Sequence, residues 1–71
     1  MDSFSSLIVT LGGPTEVAGA LDMKAAAIQK MKDRDNIKPK HWPAFVKLAR
    51  KRGVKGVSLE ALLHLSLKRA A

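Results

Sequence analysis

The chain has 71 residues, and 13 lysines and arginines against 6 aspartates and glutamates give it a formal net charge of +7 and a pI near 10.3. A chain this short forms one domain with a modest core. The absence of cysteine excludes a disulfide framework and a thiolate metal site. Stability must then come from helical packing, self-association or both.

The start Met1-Asp2-Ser3 lacks the basic segment of a secretion signal, and the apolar run Leu7–Leu11 is too short to cross a membrane. The expectation is a cytoplasmic protein with no membrane partner. Phe4, Leu7, Ile8 and Leu11 fall on one face of a first helix, about Ser3–Leu11. Asp2 or Ser3 caps its start and Gly12-Gly13 ends it.

Pro14 suits the first position of a second helix, and Glu16 complements its dipole. Val17, Ala18 and Leu21 point inward, and Asp22 breaks the helix. A third helix runs from Lys24 to about Arg34, followed by a turn at Asp35-Asn36-Ile37-Lys38. The fourth helix either begins irregularly at Pro39 or has its regular part from about Trp42, because Pro43 lacks an N–H. It continues to about Arg52, with Trp42, Phe45, Val46, Leu48 and Ala49 on one side and Lys47, Arg50 and Lys51 on the other. After the loop Gly53–Gly56, Ser58 caps a fifth helix, Leu59 to about Ala70, with Lys68 and Arg69 near its end. The fold class expected is all-α: a compact bundle of five short helices over residues 1–71.

Charge is unevenly placed. Between Lys24 and Lys55 eleven basic residues face only Asp33 and Asp35, so this stretch carries +9 and the rest of the chain −2. Such clustering is the footprint of a protein that meets a polyanion; the plainer reading is a solvated basic face.

The stretch Pro14–Asp33 has the pattern of two short helices crossing at a tight turn. Ala18 is the small residue at the crossing, and Leu21 and Met23 flank the turn residue Asp22. At about 100° per residue, Ala27, Ile28 and Met31 form the inner face of the third helix, while Ala25, Ala26, Gln29, Lys30 and Asp33 lie opposite. Gln29 can pair with adenine in the major groove, Lys30 can reach guanine or a phosphate, and two alanines allow close approach.

This twenty-residue stretch, Pro14–Asp33, resembles the helix-turn-helix of phage Cro and λ-repressor-like proteins. Ile37-Lys-Pro-Lys-His-Trp42-Pro-Ala-Phe and the loop and helix Gly53–Leu63 are similar to small Cro/YdaS-like phage or prophage regulators. The resemblance implies base contacts from Lys24, Ala25, Ala26, Gln29 and Lys30. It departs from the family at Asp22, where glycine is usual, and at Pro14, where a polar phosphate ligand is usual; Thr15 is placed to replace that ligand. Phosphate contacts are expected from Thr15, Lys32, Arg34, Lys38, Lys40 and Lys47. The function implied is a sequence-specific transcriptional regulator of double-stranded DNA, a repressor in the bacterial nucleoid.

The fifth helix carries Leu59, Leu62, Leu63, Leu65 and Leu67 over about 200°, more than one buried stripe needs. Leu62 and Leu65 are the expected exposed pair, forming a homodimer surface. Trp42 reads as a core anchor. His41 and His64 stand without partners for a metal site, and no nucleophile–base pairing or phosphate loop occurs, so neither an enzyme, a cofactor nor a small-molecule substrate is expected. The alternative functions are a low-specificity architectural DNA-binding protein and an antitoxin-type module that holds a protein through the fifth helix.

Overall fold

The computed structural model describes the backbone of residues 3–70 and the side chains of residues 3–68. Asp2, the other candidate for the first cap, and the side chain of Arg69 lie outside the described residues. Five α-helices follow one another: α1 Phe4–Thr10, α2 Pro14–Leu21, α3 Ala25–Arg34, α4 Trp42–Lys51 and α5 Leu59–Ala70. Among the described residues there is no strand, and the bundle is all-α as the periodicity predicts. No helix among them is long and apolar enough to cross a membrane.

The core forms from one face of each helix. Phe4, Leu7, Ile8 and Leu11 from the α1 segment meet Val17 and Ala18 of α2 and Ile28 of α3. Phe45, Val46, Leu48 and Ala49 of α4 close the other side with Val57 and Leu62. Leu21, Met23, Met31, Trp42, Val54 and Leu65 pack against this centre while partly exposed.

Helix starts follow the chemistry of the sequence. The Ser3 hydroxyl accepts from the Ser6 N–H at 3.0 Å, and the Ser58 hydroxyl accepts from the Ala61 N–H at 3.1 Å, so each satisfies a donor that the first helical turn leaves unpaired. Both readings of the fourth helix are realised together. A 3-10 turn, Pro39–His41, leads directly into α4, and Pro43 falls in the first turn, where no N–H is required.

Four successive helices end in the same way. The N–H groups of Gly13, Met23, Asn36 and Val54 each reach back five residues, to the carbonyls of Ile8, Ala18, Met31 and Ala49, at 2.9–3.0 Å. This closure needs a left-handed residue one step earlier. Gly12 and Gly53 supply it at φ +113° and +71°, and Asp22 and Asp35 at +54° and +50°. Gly12 has a second constraint: a Cβ there would lie 3.1 Å from the Glu16 Cβ and 3.2 Å from Arg52 Nη1.

One expectation fails on α5. Leu62 is 0% exposed and lies in the core, and Leu65 is half-buried against it. The exposed leucines are Leu59 (51%), Leu63 (46%) and Leu67 (60%). The width of the leucine sweep was legible, but not which edge faces α4. That rotation is set by the turn before α5, where Val57 is drawn into the core and Ser58 caps the helix.

Candidate nucleic-acid interface

α2 and α3 are joined by the turn Asp22-Met23-Lys24. Asp22 turns the chain left-handed, and the Met23 N–H closes on the Ala18 carbonyl at 2.9 Å. Ala18 is buried beside Val17, which leaves room for the second helix to come close. Lys24 is the N-cap of α3 with extended φ/ψ and makes no side-chain cap bond. The helix itself therefore begins at Ala25.

Ile28 is buried, and Ala27 and Met31 are half-buried toward the core. Lys24, Ala25, Ala26, Gln29, Lys30 and Asp33 are all exposed. All five residues named as base-reading are therefore solvent-facing, Lys24 at the N-cap and Ala25, Ala26, Gln29 and Lys30 on the outer side of α3. Within it, Gln29 Nε2 donates to Asp33 Oδ1 at 2.8 Å, a bond one helical turn long that sequence reasoning did not anticipate.

Beside this surface lies an open cleft of about 230 Å³ between the C-terminal half of α3 and the segment leading into α4. Lys30, Arg34, Lys38 and Lys40 line it, with His41, Asn36 and the apolar Met23, Ala27 and Met31. No carboxylate is among the residues lining it.

The loop that carries two of these lysines is pinned at both ends. Ile37 is buried, and the Trp42 indole N–H donates to the Ile37 carbonyl at 2.8 Å. The Trp42 ring also stacks on Phe4, with centroids 6.5 Å apart and planes at 24°. Trp42 is thus an anchor rather than a platform for bases, and Lys38 and Lys40 project from a fixed support. The available signal is an apolar residue, Ile37, just before exposed cations in a turn.

His41 belongs to the cleft too, a position that nothing in its sequence neighbourhood points to. Burial lowers its pKa from the ordinary histidine value, and the positive charges of Lys40 and Lys38 lower it further. Among the described residues no three histidine, aspartate or glutamate side chains gather around a metal position.

The chain matches no family model, no curated protein and no solved structure.

Three of the named phosphate residues lie outside the cleft. Thr15 is exposed in the first turn of α2. Lys32 is half-buried, and its carbonyl accepts from the Ser5 hydroxyl. Lys47 projects from α4 between two other grooves, one beside Leu21 and Lys51 and the other beside Arg50 and Leu59. Arg52, part of the basic stretch, is engaged by the fold at its surface. Its Nη1 donates to the Leu11 carbonyl at 2.8 Å, and its Nη2 lies 3.4 Å from Glu16 Oε2.

Proposed function

We propose that this chain is a helix-turn-helix regulator that binds double-stranded DNA, with α3 in the major groove. The observation that carries the reading is the exposed strip Ala25, Ala26, Gln29 and Lys30 running into a cleft walled by Lys30, Lys38 and Lys40 without a carboxylate. A helix enters the groove best when small residues face the bases and a few polar side chains reach their edges. Cations at the flank then meet the phosphates, which position the protein and supply most of its non-specific affinity.

In this reading Gln29 pairs with adenine, Lys30 reaches guanine or the adjacent phosphate, and Lys38 and Lys40 grip the backbone. Lys24, exposed at the N-cap of α3, joins the base-reading set, and Thr15, exposed in the first turn of α2, meets a phosphate. Binding over a promoter blocks transcription, so the regulator acts as a repressor on the bacterial chromosome in the cytoplasm.

The exposed stripe Leu59, Leu63 and Leu67 supports a homodimer, with a second copy covering the leucines. A dimer would set two reading helices about 34 Å apart, suited to a palindromic site. The same stripe favours the interaction-module reading, in which a different protein covers it.

The deciding experiment selects binding sites from random duplexes with wild type and with Gln29→Ala/Lys30→Ala. The double variant should keep its circular dichroism and lose sequence preference. Specific binding that survives the double change would remove α3 as the reading helix. Uniform binding by the wild type would favour the architectural reading.

A further inference from the structure

Asp33 and Asp35 are the two carboxylates within the strongly basic stretch Lys24–Lys55. Asp35 is accounted for by the fold, since its Oδ1 accepts from the Ser5 N–H at 3.0 Å. Asp33 is exposed on the outer strip of α3, and its described hydrogen bond is to Gln29, at 2.8 Å. An unneeded negative charge on a surface meant for phosphates would weaken binding. We infer that Asp33 is a specificity-determining residue, which fixes the orientation of Gln29 and selects the neighbouring base. The inference rests on the DNA-binding reading proposed above.

An ionised carboxylate only accepts, so the end of the Gln29 amide that faces Asp33 must be its NH2. That settles an orientation which a free glutamine side chain leaves open. The carbonyl oxygen then points away from Asp33, and the second N–H of the same nitrogen stays available.

Adenine in the major groove offers an amino donor and a ring acceptor side by side. An oriented Gln29 presents the matching acceptor and donor. The reversed amide, which would suit a different base, loses the bond to Asp33.

Asp33 also has acceptor capacity of its own. It lies one turn beyond Gln29, about 6 Å along the helix, which brings it over a neighbouring base pair. There a carboxylate accepts from the amino group of cytosine or adenine and faces only repulsion from the oxygen of guanine or thymine. Part of the selectivity is therefore exclusion: wrong bases are penalised more than the right one is rewarded.

The test compares full-length wild type with Asp33→Asn and Asp33→Ala. Base preference is read by selection from random duplexes and confirmed by fluorescence-anisotropy titration of single-base variants of the selected site. In Asp33→Asn the preference for cytosine or adenine over guanine or thymine at one position should fall about tenfold, the scale of one base contact. In Asp33→Ala the adenine preference at the Gln29 position should weaken several-fold as well. Affinity for an unrelated duplex should rise in both variants, with thermal midpoints unchanged.

A purely structural side chain would alter the midpoint and leave the base profile as it was. If both variants keep the wild-type profile, Asp33 makes only a surface bond and the inference is overturned. If the wild type itself shows no base preference, the DNA-reading assignment fails first and this inference falls with it.

Discussion

The N–H of Ser5 donates to the carboxylate of Asp35 at 3.0 Å, across thirty residues of sequence. The Ser5 hydroxyl donates in turn to the carbonyl of Lys32. The last turn of α3 thereby supplies an acceptor for an N–H that the first turn of α1 leaves unpaired, and the Ser5 hydroxyl adds a second donor to a carbonyl that also accepts from the Asp35 N–H at 3.2 Å. Asp35 does two things at once: it takes the left-handed conformation that ends α3, and it caps another helix.

The two left-handed aspartates should consequently respond in opposite ways to glycine. At Asp22, φ +54° carries a steric penalty that glycine avoids. Asp22→Gly should raise stability by about 0.5 kcal/mol, read as a higher urea midpoint. Asp35→Gly removes the same penalty but leaves the Ser5 N–H without its acceptor, and should lower stability by about 1 kcal/mol. Equal shifts would show that the Ser5–Asp35 bond contributes nothing.

Phosphate contact leaves a signature in salt dependence. Lys38→Ala and Lys40→Ala should each flatten the slope of log affinity against log salt by about one. Lys47→Ala should leave the slope unchanged, because Lys47 lines neither the cleft nor the outer strip. Arg52→Ala should also leave it unchanged while lowering the thermal midpoint, since that guanidinium holds the Leu11 carbonyl. A reduced slope in Lys47→Ala would extend the interface onto α4.

The acidic limb of the binding curve tests the cleft independently. His41 has a lowered pKa, from burial and then from Lys40 and Lys38, so the free protein resists its protonation. A bound phosphate reverses the local field and raises that pKa, so binding takes up a proton as pH falls through the histidine range. Affinity at constant ionic strength should increase from pH 7.5 toward 5.5, and His41→Gln should remove that contribution. Stability alone runs the other way. A folded pKa below the unfolded one gives stability that is present above the unfolded value and lost as pH falls through the folded one, so the thermal midpoint of the unbound wild type should fall further between pH 7.5 and 5.5 than that of His41→Gln.

On α5, burial separates two neighbouring leucines. Leu62→Ala empties a fully buried site and should cost roughly 2–5 kcal/mol, much of the stability of a domain this small. Leu63→Glu should leave the fold intact and shift sedimentation toward the monomer. An unchanged sedimentation profile, at concentrations where wild type is a dimer, would place the self-contact elsewhere.

Much of this architecture was legible because helices announce themselves locally. The Ser3 and Ser58 caps, the Gly12-Gly13 stop and the outward strip of α3 follow from residue type and a 3.6-residue period. What escaped depends on contacts between distant segments. Leu62 and Leu63 are chemically identical, and the turn into α5, which seats Val57 in the core, decides which of them faces α4. Arg52 counted as free charge until the Leu11 carbonyl engaged it. His41 entered the cleft through the 3-10 turn, and Asp33 became informative only when its carboxylate met Gln29.

α3 divides its duties cleanly. Ala27, Ile28 and Met31 bind it to the bundle, and the left-handed residues Asp22 and Asp35 fix where it begins and ends. Ala25, Ala26, Gln29, Lys30 and Asp33 have no part in that attachment. Five positions are thus open to replacement while the framework stays as it is. A scaffold built this way works as a cassette holder: one strip can be rewritten by substitution, and stability need not drift with it.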